Sequence, residues 1–252
     1  MRATYPVRVT TSAHAARNEM AFLEPLFERL ERHRASPRPR PFVTLGYAQS
    51  IDGSIAARPA RPVALSSEKA FAMAHLLRAR HGGLLVGIDT VLADDPRLTV
   101  RLCEGENPQP IVLDSRLRMP ENARLFSHPD RRPLLLTTAA ASASRIARLE
   151  AHGASVRVLP ADPLGRVDLG AALDALAAEG LSCLMVEGGA TVIDSFLRAR
   201  LVDYCVITVT PRLMFGGLKT MEGAGPAAPL SIVDCAYEVL DGDLVIHGTP
   251  GD

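Results

Sequence analysis

Four short segments of the 252-residue chain bring carboxylate, guanidinium or hydroxyl side chains together with glycine. They are residues 48–53 (AQSIDG), 87–101 (GIDTVLADDPRLTVR), 186–191 (VEGGAT) and 210–217 (TPRLMFGG). Carboxylates can transfer protons, guanidinium groups can bind phosphate through paired donors, and glycine lets backbone N–H groups come close to an anion. Each segment by itself is also compatible with an ordinary turn or loop.

The segment at residues 186–191 places Glu187 directly before Gly188 and Gly189. The pattern predicts a buried strand, a close backbone approach at the glycines, and a helix whose N-terminus can receive an anion such as phosphate. A carboxylate near the end of an apolar strand can have a raised pKa, so Glu187 is a candidate for proton transfer. Asp52, in the turn after the first core strand, is the second candidate. For either carboxylate, a structural role in a turn or cap explains the pattern equally well.

The segment at residues 87–101 predicts a strand that ends in a long polar loop. Arg101 lies at the end of this loop, and Arg78 lies on the predicted helix before the strand. If the helix and the loop meet at one edge of the sheet, the two guanidinium groups can bind one phosphate. For a single arginine considered alone, a surface position is the simpler explanation.

From residue 41 onward, short β-rich runs alternate with helical stretches. Strands are predicted at residues 42–48, 84–88, 111–113, 134–138, 155–159, 183–186 and 204–209, with helices between most of them. Such alternation is typical of an α/β fold of three layers, α/β/α, with a largely parallel mixed sheet covered on both faces. Ligands of such folds bind at the carboxyl ends of the strands, which is where the four segments lie.

Residues 1–40 differ from the rest of the chain. Apolar residues at helical spacing predict an amphipathic helix that ends near His33 and that begins or kinks at Pro25. Alternating prolines at residues 36–41 then favour an extended connector. We therefore expect an N-terminal helical extension with a proline-rich linker over residues 1–40, followed by one α/β domain over residues 41–252. The arginines of residues 29–40 suit a solvated helix end and linker better than a polyanion contact.

The composition disfavours several classes of protein. The 28 basic and 28 acidic residues cancel, whereas a nucleic-acid-binding protein usually has a basic excess. Hydrophobic residues make up 47% of the chain, but no apolar run is long enough to span a membrane, and no secretory signal is apparent. The four cysteines are widely separated, which favours free thiols over disulfides or a metal site. These features predict a soluble cytoplasmic protein without nucleic-acid or membrane partners.

Several motifs of common enzyme classes are missing from the sequence. The chain has no G-x-G-x-x-G after a strand and no G-x-x-x-x-G-K-[ST], so the usual dinucleotide fingerprint and the P-loop are absent. It also has no G-x-S-x-G, no H-E-x-x-H and no zinc-deaminase signature.

The four segments together resemble the reductase domain of riboflavin biosynthesis, over about residues 41–246. Residues 112–115 (VLDS) and 118–120 (RMP) are similar to that family as well. The resemblance implies a dihydrofolate-reductase-like fold, NADPH as cofactor, and a ribosylaminopyrimidinone 5′-phosphate as substrate. An imine at C1′ of the opened ribosyl group would accept a hydride and give the ribityl form. Because the deaminase motif is absent, the chain resembles the stand-alone reductases of this family.

The resemblance also assigns roles to individual positions. NADPH would contact Ala48, Thr90, Asp94, Ser115 and the stretch at residues 189–195, which includes Gly189, Ala190, Thr191 and Val192. The substrate would contact Arg78, Leu98, Arg101 and Glu187. The family often has lysine in the first strand or directly after Asp-Gly, and this chain has Gly46 and Ser54 there.

The resemblance and the strand pattern together predict a homodimer. Family reductases generally pair, and an apolar strand at residues 204–209 would otherwise be an exposed edge. Other functions remain open at this point. They are a pteridine- or dihydrofolate-type reductase, a pyrimidine reductase of a related flavin-like secondary pathway, and a nucleotide-binding regulator without turnover.

Overall fold

A computed structural model of the protein describes residues 19–36, 38–57, 64–221 and 229–251, which fold around one large β-sheet. In chain order, the helices and strands of these residues are α1 (Glu24–Ala35), β1 (Phe42–Ser50), β2 (Ser54–Ala56), α2 (Glu68–Ala79), β3 (Gly83–Gly87), α3 (Ile88–Asp94), β4 (Gln109–Leu113), β5 (Leu134–Thr138), α4 (Ala143–Ala151), β6 (Ser155–Leu159), α5 (Leu169–Ala178), β7 (Cys183–Gly188), α6 (Ala190–Arg198), β8 (Tyr204–Thr210), β9 (Leu218–Lys219), β10 (Ser231–Leu240) and β11 (Asp243–Gly251). None of the described helices has the length and apolar character needed to cross a membrane.

The sheet contains nine of the described strands, in the order β10-β11-β8-β1-β7-β3-β4-β5-β6. The strands from β8 to β6 are parallel to one another, whereas β11 is antiparallel to β8 and β10 is antiparallel to β11. The short strands β2 and β9 form a separate antiparallel pair. The prediction of a largely parallel mixed sheet is therefore confirmed.

Helices cover both faces of the sheet. On one face, α1, α2, α3 and α4 contribute to a hydrophobic cluster with Leu84 and Val86 of β3. On the other face, α5 and α6 pack in a second cluster with Leu85 of the same strand. This alternation follows from the two-residue period of a strand, which sends successive side chains to opposite faces. The structure thus confirms the predicted three layers.

The N-terminal helix packs onto the same core as the other helices of its layer. Pro25 lies in the first turn of α1, where its missing N–H costs nothing, so the helix begins there and does not kink. Its buried residues Leu26, Phe27 and Leu30 belong to the cluster that contains α2 and α3. Residues 1–18 and 37 of the predicted extension and linker lie outside the described residues. A division of the chain at residue 40 stays a prediction.

Two expectations about the elements are wrong. The segment after β3 is not a polar loop throughout, because residues 88–94 form α3, whose Ile88 and Val91 are buried on one face. The strand at residues 204–210 is not an edge, because β8 lies between β1 and β11. The strands β10 and β11 follow it, and most residues of β10 are exposed or half-buried, so no apolar run indicated that strand.

Two buried histidines, His75 and His81, make the stability of the fold dependent on pH. Burial lowers the pKa of each from 6.5 to about 4, and nearby arginines contribute to the shift. As pH falls below 6.5, the unfolded chain therefore binds protons that the folded chain does not bind until about pH 4. We expect the free energy of unfolding to fall from neutral pH to pH ~5 by about 2 kcal/mol for each histidine.

Urea unfolding at the two pH values measures this effect. In His75→Asn, which cannot titrate at that position, the loss on acidification should shrink by about 2 kcal/mol. An equal loss in the wild type and in this variant would contradict the assignment to His75.

Candidate functional site

Two cavities open at the side of the sheet where the parallel strands end. The larger cavity has a volume of about 710 Å³ and lies where β3 and β4 end and α6 begins. The smaller cavity has a volume of about 180 Å³ and lies between β1 and α2. The four segments were predicted to lie at the carboxyl ends of strands. Open α/β sheets bind ligands at this edge.

In the smaller cavity, Arg78 of α2 binds Glu187 of β7 through two parallel hydrogen bonds. Arg78 Nε donates to Oε1 at 2.6 Å, and Nη2 donates to Oε2 at 2.7 Å. Nη1 donates to the carbonyl oxygen of Thr99 at 3.1 Å. Burial opposes the charge of Arg78, but the carboxylate of Glu187 raises its pKa above the usual value. The structure therefore does not present Arg78 as a free partner for the expected two-arginine phosphate site.

Arg101 lies on the loop after α3. Thr99 of the same loop accepts the hydrogen bond from Arg78 that connects this loop to α2. Its backbone N–H donates to His75 Nδ1 at 3.0 Å, and its Nη1 donates to Thr99 Oγ1 at 2.7 Å. Burial lowers the pKa of Arg101, and the nearby charges of Arg78 and Arg97 lower it further. This group of like charges favours an anion beside it. Arg101 is itself exposed, so a phosphate can reach its guanidinium group.

Leu98 lies on the same loop, but its side chain is buried in the hydrophobic core. Its φ of 52° is in the left-handed region, which is unusual for leucine. Any ligand contact of Leu98 must therefore come from its backbone.

Five of the residues expected to contact the cofactor line the larger cavity, namely Ser115, Thr191, Val192, Asp194 and Ser195. Gly189 forms the N-cap of α6 with a φ of 84°, and Gly188 before it has a φ of 112°. Both values favour glycine over residues that have a Cβ atom. Thr90 Oγ1 donates to the carbonyl oxygen of Gly188 at 3.3 Å, so α3 meets the strand end at this turn.

One wall of the larger cavity was not expected from the sequence. Residues 162 and 164–170, from the loop after β6 and the first turn of α5, line it. Arg166 connects this loop to α6, since its Nη1 donates to Ser195 Oγ at 3.1 Å while its Nε donates to Asp162 at 3.0 Å. The loop follows β6 at the carboxyl edge of the sheet. This position after a predicted strand was the one feature of the sequence that could have indicated a role for the loop in ligand binding.

Hydrogen bonds hold the carboxylate of Asp52 in the turn after β1. Its side chain accepts hydrogen bonds from Ser50 Oγ, from Ser54 Oγ and from the backbone N–H of Met214. These bonds, with that from Ser50 as the strongest, lower the pKa of Asp52 below its usual value. A general acid at neutral pH needs a raised pKa, so this environment argues against Asp52 as the proton donor. Asp52 instead connects the first of the four segments to the last.

The remaining expected residues occupy different places. Ala48 lines the smaller cavity together with Arg78 and Glu187. Asp94 is exposed at the C-terminal end of α3 and lines neither cavity. Within the described part of the chain, no group of three or more His, Cys, Asp or Glu side chains could hold a metal ion.

Comparison with known proteins identifies the family. A family model described as the RibD C-terminal domain matches residues 41–243. The 2,5-diamino-6-ribosylamino-4(3H)-pyrimidinone 5′-phosphate reductase of Archaeoglobus fulgidus is 36% identical over 188 residues, which cover 71% of this chain and 83% of that protein. The enzyme of the same name from Debaryomyces hansenii is 36% identical over 222 residues, which cover 80% and 87%.

A solved structure agrees with these matches. The Saccharomyces cerevisiae riboflavin biosynthesis reductase Rib7 superposes with a TM-score of 0.71 at 25% identity, covering 91% of this chain and all of that one. The family match spans both cavities and every residue considered above for binding or catalysis. The chain therefore belongs to the RibD C-terminal domain family of riboflavin-biosynthesis reductases.

Proposed function

We propose that this protein uses NADPH to reduce the ribosyl group of a diaminopyrimidinone or aminopyrimidinone ribosylamino 5′-phosphate to the ribityl form. The names of the relatives support a reductase of this substrate class. One observation of the structure supports the proposal most directly. The end of β7 joins the two cavities, because Glu187 lines the smaller one and Gly189 begins the helix beside the larger one. A substrate and a cofactor bound at these places would lie next to each other.

The larger cavity fits a nicotinamide cofactor. Its volume of about 710 Å³ is within the range of cofactor sites, and a Cβ atom on Gly189 would lie 3.0 Å from Thr90 Oγ1. We assign Ser115, Thr191 and the start of α6 to cofactor binding. A bound NADPH supplies the hydride for C1′ of the substrate. The protein holds the two molecules in position and excludes water from between them.

The smaller cavity and the loop after α3 are assigned to the substrate. Glu187 can accept hydrogen bonds from the substrate with the lone pairs that Arg78 leaves unused. Arg101 is assigned to the phosphate. Assistance of proton transfer by Glu187 stays a prediction.

Oxidation of NADPH, followed by its absorbance, tests the function. The assay compares the deaminated pyrimidine phosphate, its non-deaminated precursor and dihydrofolate, each with NADPH and with NADH. We expect turnover with one of the two pyrimidine phosphates and a higher kcat/KM with NADPH. Turnover of dihydrofolate alone would assign a different reaction, and cofactor binding without any turnover would indicate a regulator.

Replacing Arg101 should weaken binding of the substrate phosphate selectively. A charge-assisted hydrogen bond contributes about 1.5–3 kcal/mol, so Arg101→Ala should raise the KM for substrate by at least about tenfold. The affinity for NADPH should remain nearly unchanged. Substrate without its phosphate is the control, because the variant and the wild type should use it equally. An unchanged KM for the phosphorylated substrate would refute the assignment.

We also propose that the protein is a homodimer, with β10 in the interface. This strand ends the sheet, and its side chains Val233, Tyr237 and Val239 are 45%, 63% and 66% exposed. An exposed apolar edge strand tends to pair with another chain. Light scattering at micromolar concentration should give twice the mass of one chain, and Tyr237→Lys with Val239→Lys should give the monomer. A monomeric wild type would disprove the pairing.

We propose that the protein is located in the cytoplasm. All four cysteines, Cys103, Cys183, Cys205 and Cys235, are free thiols. Burial raises the pKa of Cys183 and raises that of Cys205 to about 12, so both remain protonated at neutral pH. Free thiols are usual in proteins of reducing compartments.

A further inference from the structure

Two hydrogen bonds of opposite sense hold the loop after α3 against α2. Arg101 donates its backbone N–H to His75 Nδ1 at 3.0 Å, and Arg78 Nη1 donates to the carbonyl oxygen of Thr99 at 3.1 Å. His75 and Arg78 are three residues apart on α2, so their side chains lie on the same side of the helix. The helix therefore fixes the backbone of the loop at Arg101 and at the residue two positions before it.

The side chain of Arg101 is fixed in turn by this loop. Its Nη1 donates to Thr99 Oγ1 at 2.7 Å. Within the described part of the chain, Nε and Nη2 of Arg101 have no hydrogen-bond acceptor. A guanidinium group can bind two oxygens of a phosphate through such a pair of parallel donors. The position of these donors depends on the backbone of residues 99–101, and hence on the side chains of α2 that hold it.

The burial of His75 is not explained by packing alone. The side chain is fully buried, and its ring contacts that of Phe71 edge to face, with the centroids 4.9 Å apart. Because Nδ1 accepts the N–H of Arg101, the proton of the neutral ring is on Nε2. Nε2 is buried without a hydrogen-bond partner among the described residues, which costs free energy. A leucine would leave no such group unpaired, so the histidine points to a role for Nδ1 other than stability.

We propose that His75 is a positioning residue for phosphate binding, because its Nδ1 holds the backbone of Arg101 and so sets where the Arg101 guanidinium group meets the phosphate of the substrate. This inference rests on the proposed function, since it takes Arg101 as the phosphate-binding residue. It goes beyond that function by assigning a role to a buried side chain that lines neither cavity. His75 acts through Arg101 and has no direct part in hydride transfer.

Calorimetric titration of the full chain with ribose 5-phosphate tests the inference without requiring turnover, and NADPH is the control ligand. His75→Leu removes the acceptor, whereas His75→Asn keeps one, because the amide oxygen Oδ1 can take the place of Nδ1. His75→Leu should weaken binding of ribose 5-phosphate by about fivefold. His75→Asn should bind it within about twofold of the wild type. The affinity for NADPH should be the same in all three proteins.

A double variant shows whether His75 acts through Arg101. When Arg101→Ala has removed the guanidinium group, the addition of His75→Leu should cause no further loss of affinity, whereas independent effects would multiply. In the turnover assay, His75→Leu should raise the KM for the phosphorylated substrate and leave kcat within about twofold of the wild-type value.

His247→Leu is the matched control for loss of a buried histidine. His247 is hydrogen-bonded through Nδ1 to the hydroxyl group of Tyr204 at 2.8 Å, and its Nε2 is likewise buried without a partner among the described residues. It lines neither cavity. This variant should lose stability, as His75→Leu does, but should bind ribose 5-phosphate as the wild type does.

Four results would overturn the inference. They are no binding of ribose 5-phosphate to the wild type, wild-type affinity in His75→Leu, an equal loss in His75→Leu and His75→Asn, and a multiplied loss in the double variant. A loss in His247→Leu equal to that in His75→Leu would show that affinity follows stability, and would also count against it. Turnover by the wild type is measured separately. Its absence, with ribose 5-phosphate bound as expected, would refute the proposed function and leave the role of His75 supported.

Discussion

Replacing Glu187 with glutamine should lower kcat/KM for the pyrimidine phosphate by at least about 100-fold, or about 2.7 kcal/mol. The amide keeps the size of the side chain but loses the charge that balances Arg78. The Arg78 side chain is only 11% exposed, so its guanidinium group would remain almost buried without its partner. Loss of one partner of a buried ion pair also costs about 3–5 kcal/mol of folding stability. Steady-state kinetics and urea unfolding of the same variant measure the two effects.

A double variant separates the structural effect from the functional one. Arg78→Met with Glu187→Leu removes both charges, and apolar replacements of this kind often restore stability. We expect the double variant to unfold near the wild-type midpoint while its kcat/KM remains at least about 100-fold reduced. Recovery of activity together with stability would show that the pair has only a structural role. In that case the assignment of Glu187 to the substrate would be wrong.

The second large effect is expected for Gly189, where alanine should raise the Kd for NADPH by at least about tenfold. Gly189 has a φ of 84° and a ψ of 141°, a conformation that residues with a Cβ atom rarely adopt and that costs them about 1–3 kcal/mol. The added atom would also lie 3.0 Å from Thr90 Oγ1, so the start of α6 must move. The backbone N–H groups at this start are the ones proposed to bind the cofactor.

Gly180→Ala is the control for backbone strain alone. Gly180 has a φ of 83°, nearly that of Gly189, and nothing lies within 4 Å of an added Cβ there. Both variants place a Cβ atom at a positive φ and should lose stability, but only Gly189→Ala should lose affinity for NADPH in a fluorescence titration. Equal affinities in the two variants would remove Gly189 from the cofactor site.

Much of the fold could be predicted because local patterns determine it. The strands at residues 134–138 and 155–159 have the predicted bounds, since each is a short β-rich run between turn residues. Ser67 and Asp168 cap α2 and α5, since each side-chain oxygen accepts a hydrogen bond from the backbone N–H three residues later. The helix at residues 88–94 was missed because Asp89 and Thr90 made its exposed face resemble a loop.

By itself, the sequence determined which residue types lie at the ends of the parallel strands, and it determined the family through the four segments together. These properties depend on neighbours along the chain. Only the tertiary structure decided that Arg78 binds Glu187, because the two residues are 109 positions apart and meet only when α2 packs against the sheet. It also decided that small residues of β1 and α2 leave a cavity of about 180 Å³ between these two elements. The space depends on small residues of a strand and a helix that face each other, and no local pattern specifies which side chains will do so after folding.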